Sequence, residues 1–135
     1  MIKRPEIVLK SWGRELIAYN SKEYCGKKLE LKFGHHCSLH RHPKLETFML
    51  ESGQVRLVLE RLDGTLEFAT LEPDDCVDIP RGRWHCFWGA AEQINRITEY
   101  STTDCESERF CVGGYKDNQY EFENWLIEQY SKAKA

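Results

Sequence analysis

Residues 34–53 read GHHCSLHRHPKLETFMLESG. Gly34 is followed after five residues by His40-x-His42, after three more by Glu46, and after six more by Gly53. Residues two apart on an extended strand project from one face, so His40 and His42 point the same way. Pro43 marks a short turn, and Glu46 comes from the next strand. Further on, DDCVDIPRGRWH over residues 74–85 places Pro80, Gly82 and His85 close together. Three imidazoles and one carboxylate at these spacings suit a mononuclear divalent metal site. A lone histidine on an apolar strand is more often a hydrogen-bonded core residue. Glu46 argues for more than that here, because a buried carboxylate without a counter-charge is costly and a cation removes the cost.

These residues resemble the two motifs of the cupins, small double-stranded β-helix barrels. The first cupin motif is glycine, five residues, His-x-His, three or four residues, Glu, six residues, glycine, and Gly34 to Gly53 matches every position. The second is glycine, five residues, Pro-x-Gly, two residues, His, three residues, Asn. Pro80, Gly82 and His85 match it, while Asp74 stands for the first glycine and Gly89 for the asparagine. Both departures fall at turn positions that tolerate Asp and Gly. The resemblance implies an all-β fold, a cupin or jelly-roll barrel over residues 1–115, with a C-terminal segment, residues 116–135, packed on it. It also implies His40, His42, Glu46 and His85 as ligands of one divalent ion: Zn, Mn, Fe, Ni or Co.

The flanking sequence reads as strand and turn. Glu6–Lys10 and Glu15–Tyr19 are short strands around a break at Trp12-Gly13. Lys28–Phe33 alternates, with Leu29, Leu31 and Phe33 on one face. Glu46–Glu51 and Val55–Glu60 form a hairpin around Ser52-Gly53. Asp63-Gly64 turns the chain into Thr65–Leu71. Cys76–Ile79, His85–Trp88 and Ile94–Tyr100 complete some nine or ten strands. From Asn118 onward Phe122, Trp125, Leu126 and Tyr130 recur at helical spacing, which predicts one amphipathic helix capped by Asp117 or Asn118.

Composition excludes several classes. A chain of 135 residues with 41% hydrophobic and 12% aromatic content can bury one core. A net charge of −3 gives no electrostatic case for nucleic acid. No apolar run approaches the length that spans a membrane. The charged N-terminal stretch MIKRPEIVLKSWGRE lacks a signal peptide's apolar core, so a cytoplasmic location is expected. Six cysteines show no C-x-x-C pair and are expected to be reduced and structural, with Cys37 and Cys86 near the proposed ligands.

A narrower resemblance concerns the chemistry. Trp12-Gly13-Arg14-Glu15, then Tyr24-Cys25-Gly26-Lys27, then the metal motif, and finally Ile97-Thr98-Glu99-Tyr100-Ser101-Thr102, are similar to cupin-type mannose-6-phosphate isomerases. That resemblance implies a metal-dependent isomerase of a sugar or sugar phosphate, working through a cis-enediol. Such chemistry needs a Lewis acid on the substrate oxygens and a base near the carbon-bound proton. Glu99 and Glu15 are the candidate bases. Lys27, Arg81 and Arg83 are candidate anchors for a phosphate, and Trp84 and Trp88 for a sugar face. Two other readings use the same motif: an Fe-dependent dioxygenase, and a non-catalytic sugar- or metal-binding module. A homodimer is expected from the edges a small barrel must cover.

Overall fold

A computed structural model describes residues 1–135. Thirteen strands and one helix follow in order: β1 (Glu6–Lys10), β2 (Gly13–Asn20), β3 (Cys25–Leu31), β4 (His35–His36), β5 (His40–Arg41), β6 (Glu46–Ser52), β7 (Val55–Glu60), β8 (Leu66–Leu71), β9 (Cys76–Ile79), β10 (His85–Gly89), β11 (Asn95–Ser101), β12 (Glu108–Arg109), β13 (Gly114–Tyr115) and α1 (Gln119–Lys134). One sheet runs β1-β2-β3-β11-β6-β9. The other is built on β10, which pairs with β4, β5 and β7; β12 extends it beyond β5, β13 beyond β4 and β8 beyond β7. All named strand pairs are antiparallel. The two sheets face each other as a double-stranded β-helix with the core between them.

The inward faces grade from apolar to polar along the strands, and this gradient positions the site. On β3, Leu31 and Leu29 lie in the core, and Lys27 follows two residues earlier on the same face. On β11, Ile97 is core and Glu99 comes next. On β6, Leu50 and Phe48 are core and Glu46 precedes them. Antiparallel register sets Glu99 opposite both Lys27 and Phe48. The polar ends of these strands therefore gather at one mouth of the barrel, while Leu31, Leu50, Val55 and Ile97 close the other.

Three positions explain the departures from the second motif and the N-terminal break: Asp74 in a turn, Gly89 at the end of β10 rather than in a turn, and Gly13 at the start of β2. Asp74 has φ 76°, the left-handed conformation glycine would supply, and Asp tolerates it better than most residues. A Cβ at Gly89 would lie 2.5 Å from the Lys32 carbonyl oxygen, so an asparagine does not fit there. Asn95 instead supplies a buried amide: its Oδ1 accepts from the Gln54 and Ala91 N–H groups, and its Nδ2 donates to the carbonyls of Leu31, Ala91 and Gln93. At Gly13, where φ is 151°, a Cβ would overlap the Glu30 carbonyl oxygen at 1.8 Å, so the break after Trp12 requires glycine.

Phe33 lies outside β3 and is 38% exposed, because the chain turns at Gly34 before the alternation can continue. Glu30, on the outer face of that strand, is nonetheless buried between Arg14 and Arg96, which both donate to it. The helix starts at an Asn118 cap whose Oδ1 accepts from Glu121 N at 2.8 Å. Phe122 and Leu126 are buried in the core, with Trp125 and Tyr130 packed against it. Phe122 stacks on Trp88 at 5.5 Å between centroids. No helix is long and apolar enough to cross a membrane.

Candidate metal centre and cavity

Cross-strand pairing brings His40 of β5 opposite His85 of β10, and His42 follows on the same side. The ring centroids of His40 and His85 are 4.2 Å apart, and those of His42 and His85 are 5.1 Å apart. One ring nitrogen from each of His40, His42 and His85 lies within 4.8 Å of the others. Glu46, at the start of β6, brings Oε1 to 2.9 Å from His42 Nε2 and 3.4 Å from His85 Nε2.

Hydrogen bonds fix which nitrogens face inward. His40 Nδ1 lies 2.8 Å from the Ser38 carbonyl and His85 Nδ1 2.8 Å from the Arg83 carbonyl. A carbonyl only accepts, so both Nδ1 atoms donate and each ring turns its Nε2 toward the cluster. His85 Nε2 and Glu46 Oε1 are buried and lack a hydrogen-bond donor. A buried imidazole nitrogen and a buried carboxylate oxygen without a well-formed hydrogen bond suit a cation, so the residues fit a divalent ion. Burial and the neighbouring His85 hold the His40 imidazole well below its usual pKa, keeping it neutral. Burial alone would raise Glu46; His42, His85 and Lys44 outweigh it and hold the carboxyl well below the usual range.

These groups open onto a cavity of about 400 Å³ at the polar end of the barrel. Next to Glu46, Lys44 is buried and its Nζ reaches Asp104 Oδ1 at 2.7 Å, Glu99 Oε2 at 3.0 Å and Glu46 Oε2 at 3.4 Å. Burial would lower the Lys44 pKa, but the carboxylates of Glu99 and Glu46 raise it, so the amine is charged. Lys27 pairs with Glu15 at 2.8 Å and Asp104 at 3.4 Å. Glu99 is 2% exposed and accepts from Ser101 Oγ at 2.8 Å. Burial, then repulsion from Glu46, pushes the Glu99 carboxyl up to about 7.

The structure thus gathers His40, His42, Glu46, Glu99, Glu15 and Lys27 around one cavity, with His85 beside His40. Four of the sequence candidates lie elsewhere. Arg81 is exposed and donates to the Pro43 carbonyl, bracing the turn before Glu46. Arg83 does not line the cavity; its carbonyl holds His85. Trp84 is core, with the Arg41 guanidinium over its ring at 4.7 Å. Trp88 lies under α1, since alternation along β10 turns it away from the cavity.

Lys44 and Asp104 join the site from outside the sequence candidates. Lys44 sits in the turn between β5 and β6, outside any strand alternation. Asp104 sits in irregular chain after β11, where no periodicity applies. All six cysteines are free. Cys37 lines the cavity, whereas Cys86 is fully buried and burial pushes its thiol pKa well up.

No family model matches the chain, and no curated protein matches it. Solved structures do. A mutant oxalate decarboxylase of Bacillus subtilis aligns with TM-score 0.70 and 16% identity, over 78% of this chain and 30% of that one. Oxalate decarboxylase from Bacillus subtilis at pH 4.6 aligns with TM-score 0.69 at the same identity and coverage, 16%, 78% and 30%. So does the Bacillus subtilis enzyme described with Mn(II) centers, at TM-score 0.69. That enzyme is a cupin, and the likeness establishes the cupin fold for this chain. The chain spans less than a third of the length of the proteins it matches, 30% of the first.

Proposed function

We propose that the protein is a metal-dependent cupin enzyme that isomerises a sugar or sugar phosphate, interconverting aldose and ketose. The observation that carries this reading is the placement of a sequestered carboxylate, Glu99, in the same polar cavity as the His40, His42, Glu46 and His85 cluster. Those four residues would hold a divalent ion. When bound, such an ion supplies Lewis-acid polarisation of a carbonyl or hydroxyl oxygen.

The chain's own groups do the rest. Glu99 would take the proton from the carbon beside the carbonyl and return it to the neighbouring carbon. Lys44 and Ser101 hold the Glu99 carboxylate at Oε2, leaving Oε1 as the atom for transfer. Glu15 is the weaker candidate for base: it is tied to Lys27 at 2.8 Å and Lys10 at 3.5 Å, and its role is to hold those amines. Leu29, Phe48 and Phe87 form the apolar floor that limits water. A cavity of about 400 Å³ accommodates a monosaccharide-sized substrate.

The test is to incubate the protein with a panel of aldoses, ketoses and their phosphates in heavy water and read the products by proton NMR. In an enediol route deuterium enters the carbon that receives the proton to the extent that the Glu99 carboxyl exchanges with solvent before it returns the proton. Glu99→Gln should abolish both conversion and label while leaving the bound metal in place. Full activity in Glu99→Gln would remove Glu99 from the role.

A further inference from the structure

The charges lining the cavity are nearly all matched within it. Its carboxylates are Glu15, Glu46, Glu99 and Asp104, and three of its four cations, Lys10, Lys27 and Lys44, lie within 3.5 Å of one of them. The fourth cation, Arg109, stands exposed at the cavity rim and has no carboxylate partner. Its one side-chain hydrogen bond is from Nε to Ser107 Oγ at 3.2 Å, which leaves both terminal nitrogens of the guanidinium without a protein acceptor.

The fold explains how this arginine reaches the site. β12 pairs antiparallel with β5, and Arg109 is the direct cross-strand partner of His40. Directly opposed residues share a sheet face, so Arg109 stands on the same side as the His40 imidazole. Its neighbour Glu108 alternates to the other face and pairs with Arg41 at 2.9 Å, which keeps that carboxylate away from Arg109. Ser11, Ser38 and Ser107 line the same cavity and add hydroxyl groups to its wall.

We propose that Arg109 is the subsite that binds an anionic group, a phosphate or a carboxylate, at one end of the substrate. A guanidinium with both terminal nitrogens free offers two parallel donors, which is the fork that a tetrahedral or planar oxyanion accepts. The proposal rests on the preceding reading only in treating this cavity as the substrate site. It refines that reading by requiring an acidic substrate whose charged end lies beside His40. Arg109 also replaces Arg81 and Arg83 as the anchor, because neither of those lines the cavity.

Anion binding can be measured without turnover. Inorganic phosphate and, separately, acetate are titrated into the metal-loaded protein and into the same protein stripped with chelator, and backbone amide shifts are followed by NMR. The expected result is saturable binding of at least one of the two anions in both forms, with shifts centred on residues 107–113 and on His40. Losing one charge-assisted pair should weaken that binding about tenfold or more in Arg109→Gln. Arg109→Lys should restore part of it, since charge returns without the fork. Tighter phosphate identifies a phosphate ester as the ligand class; tighter acetate identifies a carboxylate. Three results would overturn the proposal: no saturable binding of either anion, unchanged affinity in Arg109→Gln, or binding confined to the metal-loaded form. Loss of the isomerase reading would leave this titration unaffected, so the two fail separately.

Discussion

Replacing Lys44 with methionine tests the electrostatic account of the cavity. The substitution keeps the apolar stem and deletes the amine that touches Asp104 at 2.7 Å, Glu99 at 3.0 Å and Glu46 at 3.4 Å. Glu46 and Glu99 are each 2% exposed, so deleting the amine leaves two buried carboxylates short of a counter-charge. Removing one partner of a buried ion pair costs about 3–5 kcal/mol. Two reliefs push the value toward the lower end, about 3 kcal/mol: Lys27 still faces Asp104 at 3.4 Å, and Glu99 can take up a proton. That is a large share of the roughly 5–15 kcal/mol that holds a domain together. The assay is urea unfolding of wild type and Lys44→Met near neutral pH, in chelator so that no bound ion compensates Glu46. A second variant, Lys44→Met with Glu99→Gln, removes one of the stranded carboxylates and should recover at least about 1 kcal/mol. A loss below about 1 kcal/mol at an unchanged denaturant slope would refute the claim that Lys44 holds the carboxylates together.

Other outcomes follow from single residues. Asn95→Ala should cost about 2–4 kcal/mol in the same unfolding assay, because it strands the Gln54 and Ala91 N–H groups and the Leu31 carbonyl in the interior; a loss under about 1 kcal/mol would show that water replaces the amide. His36 is buried against Trp125 at 4.1 Å, and burial lowers its pKa from 6.5 to about 4. Its folded pKa lies below the unfolded one, so its contribution is present above pH 6.5 and is lost as pH falls toward 4. The loss is at most about 3 kcal/mol. His36→Phe should flatten the stability profile across that window, and an unchanged slope would assign the acid sensitivity elsewhere.

Much of the site was legible because it obeys a strand's two-residue period. His40, His42 and Glu46 could be read from spacing, and His85 from its place after Pro80 and Gly82. Lys44 falls in the turn between β5 and β6, where no strand alternation marks it; its burial follows from the three carboxylates around it, Glu46 nearby, Glu99 on β11 and Asp104 in the irregular chain beyond. Glu99 and Lys27 were legible as inward positions of β11 and β3. Arg81, Arg83, Trp84 and Trp88 lie close to His85 in sequence, but a turn and a strand disperse them to different faces. Arg109 and Asp104 follow β11, where β12 and β13 are only two residues long and leave no pattern to read. The helix was legible from its apolar spacing and its Asn118 cap, and its burial of His36 and Trp88 was not, since that depends on how it docks.

Metal content tests the central claim most directly. The protein is purified without chelators and analysed for metals, alongside a His40→Ala, His85→Ala double variant whose fold is checked by circular dichroism. The account predicts about one equivalent of a divalent transition metal in the native chain, as one mononuclear site requires, and almost none in the folded variant. A native chain that stays metal-free after incubation with Mn, Fe, Ni, Co and Zn salts, or a folded variant that retains the ion, would contradict it.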